Sequence, residues 1–154
     1  LKTADIFRLK SDTEESVKYL NAPLEEKYRL LDAIAHKPLH AADLKTAPFG
    51  IDKIEWPASP ADLCRLMAYF YKKDDKAALA IMGINPGLDI PKNKFLYAGY
   101  KGGSEAGVLN LTWLLKTSAG DWYCLTGSWN NEKDDLEEKK FFELMQAAIN
   151  AIGK

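Results

Sequence analysis

The stretch Leu96–Leu115, "LYAGYKGGSEAGVLNLTWLL", sets one apolar, aromatic-flanked run against a second. Between them stand Lys101, Gly102 and Gly103. Runs rich in branched and aromatic residues, separated by glycine and polar residues, read as antiparallel strands joined by a hairpin. We expect a strand over Phe95–Tyr100, a second over Val108–Lys116, and a third over "WYCLTGSW" after the turn "TSAGD". Together they make an antiparallel meander, with Lys101 at the end of the first strand, before the hairpin turn. Residues without Cβ let another group come close to a strand's backbone. A neighbouring lysine supplies positive charge to a carboxylate or oxyanion, and a strand edge with free N–H groups suits an extended acyl substrate. The plainer reading is a solvated lysine beside a Gly-rich turn, as most surface lysines are.

On the N-terminal side the signals are helical. "SDTEESVKYL" opens with capping residues and acids in its first turn. "PLEEKYRLLDAIAH" repeats apolar residues at Leu24, Tyr28, Leu31 and Ile34, the spacing of one helix face. "HKPLHAADLKTAPFG" is a loop with room for one helical turn. "SPADLCRLMAYFYKK" is a third helix with Ser59 as N-cap, Pro60 at the first position, and Leu63, Leu66, Met67 and Phe70 as its core face. A short "KAALAIMG" helix and the turn-rich "INPGLDIPKNK" lead to the strands. After them, a last helix spans Leu136 to about Ile152, with Phe141, Met145, Ala148 and Ile152 as a stripe broadened by Phe142 and Ile149. The expected fold class is α+β: a mainly helical region over 1–75, then a sheet with a C-terminal helix over 76–154.

Composition sets the outer bounds. A chain of 154 residues, 47% hydrophobic and 28% charged, has the make-up of one globular domain. Its net charge of -1 gives no basic footprint for nucleic acid. No apolar run reaches the roughly 18 residues that a membrane span needs. Cys64 and Cys124 can pair, but nothing in the sequence brings them together, so two buried free thiols are the expectation. With only His36 and His40 beside them, they do not form a metal site. The chain starts at Leu1 without Met, and "LKTADIFRLK" reads as the interior of a longer protein, so we expect natural sequence upstream.

"YKGGSEAGVLNLTWLL", then "GDWYCLTGSWNN", then "LEEKKFFELMQAAINAI" together resemble the C-terminal half of serine β-lactamase-like hydrolases, the superfamily of class A β-lactamases and penicillin-binding proteins. The shared order is strand, K-[TS]-G box, two strands and a long terminal helix. The resemblance covers 59–154 and extends to the helices before them, so that 1–75 and 76–154 together make the C-terminal half of one domain, and it implies a β-lactamase-like α/β sandwich whose N-terminal strands are absent here. It implies catalysis through an acyl-enzyme on a lactam, amide or ester, with no cofactor. Lys101 stands at the box lysine, and Gly102 stands where the family has Thr or Ser, whose hydroxyl helps hold a substrate carboxylate. Ser104 and Glu105 are the candidates to replace that hydroxyl. Gly103 matches the box glycine, and the Ser104 N–H is the candidate oxyanion donor.

Other parts of that machinery have no match. None of Ser11, Ser16, Ser59, Ser104, Ser118 and Ser128 has Lys three residues later, so the S-x-x-K nucleophile and base are missing. "Ser128-Trp129-Asn130" has the composition of the second box but follows the first, and reads as a strand end. "Tyr19-Leu20-Asn21" sits at a helix end, and Glu55, the nearest acid for deacylation, reads as a surface carboxylate. The resemblance therefore implies an inactive half. Its partner is the N-terminal half of the same protein, or a second copy paired through a bare edge at Trp122–Trp129. It also implies a small acyl substrate and a periplasmic or secreted location. The alternatives are a non-catalytic module binding peptide or cell-wall fragments, and an interaction domain using Tyr69, Tyr71 and Trp129.

Overall fold

The computed structural model describes residues 1–43 and 45–152. Leu44 of the expected loop, with Gly153 and Lys154, lies outside the described residues. The chain runs α1 (Thr3–Ser11), α2 (Thr13–Asn21), α3 (Leu24–Ile34), a 3-10 turn at Ala41–Asp43, α4 (Pro60–Lys73), α5 (Lys76–Met82), β1 (Phe95–Glu105), β2 (Val108–Thr117), β3 (Trp122–Asn130) and α6 (Glu138–Ala151). The strands form one antiparallel sheet in the order β1-β2-β3, so β1 and β3 are its edges. The α+β reading holds.

Helix starts follow their capping chemistry. Asp12 ends α1 and caps α2, its Oδ1 accepting from the Glu14 and Glu15 N–H groups, each at 3.1 Å. The Glu15 N–H above all holds the Asp12 carboxyl below the usual carboxylate range. At α4, Ser59 Oγ accepts from the Asp62 N–H at 3.1 Å, and Asp62 returns the bond to the Ser59 N–H at 3.2 Å.

The sheet has two faces, fixed by register. Leu109, Leu111, Trp113 and Leu115 of β2 pack with Phe95 against Phe141, Met145 and Ile149 of α6. A Cβ at Gly127 on β3 would come within 2.8 Å of Met145 Sδ and 3.0 Å of Phe141 Cζ, so the missing side chain lets α6 settle close. The opposite face carries α4. There Thr112, only 2% exposed, shares a 2.7 Å hydrogen bond with Thr126 and donates to Asn110 Oδ1 at 3.0 Å. A smaller core of Ile6, Leu9, Ile34 and Ile54 holds the N-terminal helices.

Several expectations need correction. Cys64 on α4 and Cys124 on β3 form a disulfide with Cα atoms 5.6 Å apart, not two free thiols. The sequence does not reveal that α4 lies across β3, and that packing makes the pair. The first strand continues five residues past Tyr100, to Glu105. Its hairpin turn is Ala106–Gly107, where Gly107 takes φ +75°. Lys101 is thus in the strand, not at the hairpin mouth. Gly102 and Gly103, expected between the two strands, lie inside an edge strand that pairs with β2.

"LKTADIFRLK" is itself helix α1, which buries Ile6 and Leu9. On α3 only Ile34 is buried, while Leu24 and Tyr28 are 68% and 63% exposed. On α4, Met67 is buried and Leu66 is half exposed. On α6, which starts at Glu138, the buried stripe is Phe141, Met145 and Ile149.

Candidate functional site

A bulge between Phe95 and Tyr97 sets the faces of β1. Beyond it, Ala98, Tyr100, Gly102 and Ser104 register with Leu115, Trp113, Leu111 and Leu109 on the α6 face. Tyr97, Gly99, Lys101, Gly103 and Glu105 fall on the α4 face. Only one edge of β1 is paired. Beside β1 lies a cavity of about 590 Å³. Lys101, Gly102, Gly103 and Ser104 line it together with Tyr100, the end of α5 and the start of α6. Four of the five sequence candidates therefore border this cavity, Gly102 and Ser104 from positions on the α6 face of β1 and Lys101 and Gly103 from positions on its α4 face.

Lys101 is exposed and its Nζ donates to the Gly102 carbonyl. An ammonium has three donors, so two remain for a ligand. Ser104 is exposed on the same strand. A Cβ at Gly103 would meet nothing within 4 Å, so this position leaves open space over the strand. Gly102 is different. A Cβ there would overlap the Tyr100 hydroxyl and come within 2.8 Å of its ring carbon Cζ. The group that approaches this glycine is the tyrosine two residues earlier on the same strand.

The fifth candidate, Glu105, is committed elsewhere. Lys10 of α1, its side chain 8% exposed, donates to both Glu105 oxygens at 2.7 and 2.6 Å and also to Glu55. Burial pushes the Glu105 carboxyl above its usual range, and Glu55 adds to this against the opposing pull of Lys10. Glu55, read from sequence as a surface carboxylate, is half-buried in this ion cluster.

The other motif fragments are placed as follows. Tyr19-Leu20-Asn21 closes α2, and Ser128-Trp129-Asn130 closes β3. Ser128 accepts from Asn110 Nδ2 at 2.6 Å on the α4 face. Among the described residues no group of three or more His, Cys, Asp or Glu could hold a metal ion.

Sequence reasoning missed Tyr100. Its ring lies 5.0 Å from that of Trp113, centroid to centroid, and Trp113 is anchored by its Nε1–H donating to the Pro86 carbonyl at 2.7 Å. A Cβ at Gly87 would come within 2.8 Å of the Tyr100 ring. The available signal was a doubled Tyr-x-Gly: Tyr97-Ala98-Gly99, then Tyr100-Lys101-Gly102. In both, the tyrosine leans over the glycine two residues on. Compared with known proteins, the chain matches no family model and no curated sequence.

Proposed function

We propose that this chain is the C-terminal part of a serine β-lactamase-like hydrolase that acts through an acyl-enzyme on a lactam, amide or ester. One observation carries the reading: Lys101, Gly102, Gly103 and Ser104 of edge strand β1 line a cavity with Leu109 and Leu111 of β2 and with α5 and α6, in a sheet followed by a long terminal helix. In the proposed reaction a serine oxygen, supplied with its lysine base by an S-x-x-K segment outside this sequence, attacks the substrate carbonyl. The base takes the serine proton as the C–O bond forms. The oxyanion is met by the Ser104 N–H, and Lys101 holds positive charge beside it. Collapse expels the amine or alcohol, which takes the proton, and water later frees the acid.

The Cys64–Cys124 disulfide agrees with export to an oxidising compartment, where such bonds persist. Among the described residues no helix is long and apolar enough to cross a membrane. The proposed partner is the N-terminal half of the same protein, seated on the free sheet edges; the alternative is a second copy. Gly102 in place of a hydroxyl residue favours a second reading, a non-catalytic module that keeps the groove for peptide or cell-wall fragments.

Fluorescent penicillin labelling with intact-mass analysis separates the two. The full product of the reading frame is expected to take the label on an S-x-x-K serine, and this 17.2 kDa chain alone to stay dark. A full product without S-x-x-K that never labels leaves the binding module.

A further inference from the structure

The α4 face of the sheet carries a path of hydrogen bonds with one direction. Thr112 donates to Asn110 Oδ1 at 3.0 Å, so its single hydroxyl proton is spent. The 2.7 Å bond between Thr112 and Thr126 therefore has Thr126 as its donor. Asn110 Nδ2 gives its two protons to the Gly127 carbonyl at 3.1 Å and to Ser128 Oγ at 2.6 Å. This amide cannot be turned over, because its oxygen would then face a carbonyl that only accepts. Ser128, exposed and already accepting, keeps its own proton, which meets no acceptor among the described residues. The path ends in a hydroxyl donor.

Ser128 borders a cavity of about 300 Å³. Asn110 and Asn130 line it from the same face of the sheet, and Asp52, Glu55 and Trp56 from the loop before α4. That loop is fixed from within. Ile54 is fully buried, its N–H donates to the Gly50 carbonyl at 2.8 Å, and Glu55 is held by Lys10. Trp56 is anchored by its indole N–H, which donates to the Leu1 carbonyl at 3.0 Å, yet the residue is 59% exposed. Asp52 is also exposed, with Lys53 at 3.8 Å.

These groups offer different things. Ser128 donates, Asp52 accepts, the Asn130 amide can do both, and an indole has a broad apolar body. A sugar ring matches that combination, with hydroxyls that each donate and accept and a C–H face that lies on an aromatic ring. Two carboxylates and no lysine or arginine among the lining residues repel an anion. A cation has no acceptor for the Ser128 proton. We infer that this cavity binds one ring of a neutral saccharide, stacked on Trp56 and hydrogen-bonded by Ser128, Asn130 and Asp52. The site shares no lining residue with the cavity beside Lys101, so it stands apart from the hydrolase reading.

Methyl β-glucopyranoside is the probe, because its equatorial hydroxyls leave both ring faces to C–H groups. It is titrated into the full product of the reading frame and followed by NMR at the Trp56 indole N–H and the Asn130 amide. A saturable shift at both, with a Kd of about 1–10 mM, is expected. Choline, the cationic control, is expected to leave both signals in place. Ser128→Ala keeps the Asn110 bond to Gly127, so it should leave Tm unchanged while weakening the glucoside about three- to tenfold. Trp56→Leu, read at Asn130, should weaken it about tenfold.

No saturable shift with the glucoside up to about 200 mM overturns the site. So does a glucoside response that neither Ser128→Ala nor Trp56→Leu weakens, since the sugar then sits elsewhere. Saturation by choline alone, lost in Asp52→Asn, replaces the saccharide with a cation and overturns the ligand class. Penicillin labelling of the full product decides the hydrolase reading, whichever way the sugar titration falls.

Discussion

The two hydrophobic cores of this protein are built differently. The sheet and α6 enclose a large core around Trp113, which is fully buried and anchored by ring contact and an indole hydrogen bond. Among the described residues, the core of the N-terminal helices has four buried apolar members, Ile6, Leu9 and Ile34 from the helices and Ile54 from the loop after them. What ties α1 to the tip of β1 is polar: Lys10 between Glu105 and Glu55. The candidate site lies on the strongly packed side, where a rigid strand can hold donors in place. The helical layer bears on the strand end next to it. Site geometry therefore depends on the large core, and strand-tip order on an ion cluster sensitive to pH.

The contrast can be broken by mutation. Trp113→Ala is expected to cost about 3–5 kcal/mol in chemical denaturation, whereas Ile34→Ala costs about 2 kcal/mol. Equal costs would mean that the two cores are equivalent. Next comes the disulfide, which closes a loop with a sequence separation of 60. Replacing Cys64 and Cys124 by Ser is expected to cost about 2–4 kcal/mol. A reductant should lower the wild-type Tm and leave the double variant unmoved.

Lys10→Met leaves two carboxylates facing each other and should cost about 1–3 kcal/mol. Hydrogen exchange is expected to show α1 losing protection before β2. Uniform loss across the sheet would remove the distinction between the regions.

The smallest effect is in pH. The folded state holds the Glu105 proton more tightly than the unfolded chain, whose value is near 4.5. Its contribution to stability is full below that pH and fades as pH rises through the raised folded value. Lys10 and Glu55 are the charged groups against it. Glu105→Gln should flatten this slope in a series of melts, and an unaltered slope would show that Glu105 does not set it.

Much of the fold was legible because local chemistry agreed with the tertiary structure. Ser59-Pro60 announced α4, and the branched and aromatic runs gave all three strands in order. Long-range facts were hidden. Nothing local says that Cys64 meets Cys124, or that Leu24 and Tyr28 are left in solvent while Ile34 is covered. Placing Gly102 and Gly103 between the strands concealed the true length of β1, because the tyrosines that cover Gly99 and Gly102 restore part of what the glycines lose. At the site, Lys101 through Ser104 was visible as a cluster of types. The engagement of Glu105 by Lys10, and the position of the Tyr100 hydroxyl, were not visible, since both depend on contacts that only the folded chain makes.

The most direct test of the role given to β1 is penicillin labelling of the full reading-frame product with Lys101→Ala, compared with its unmutated form at equal Tm. Loss of most of the label, with the fold intact, is the expected result. Labelling at the unmutated rate would show that Lys101 and its strand edge lie outside the reacting site.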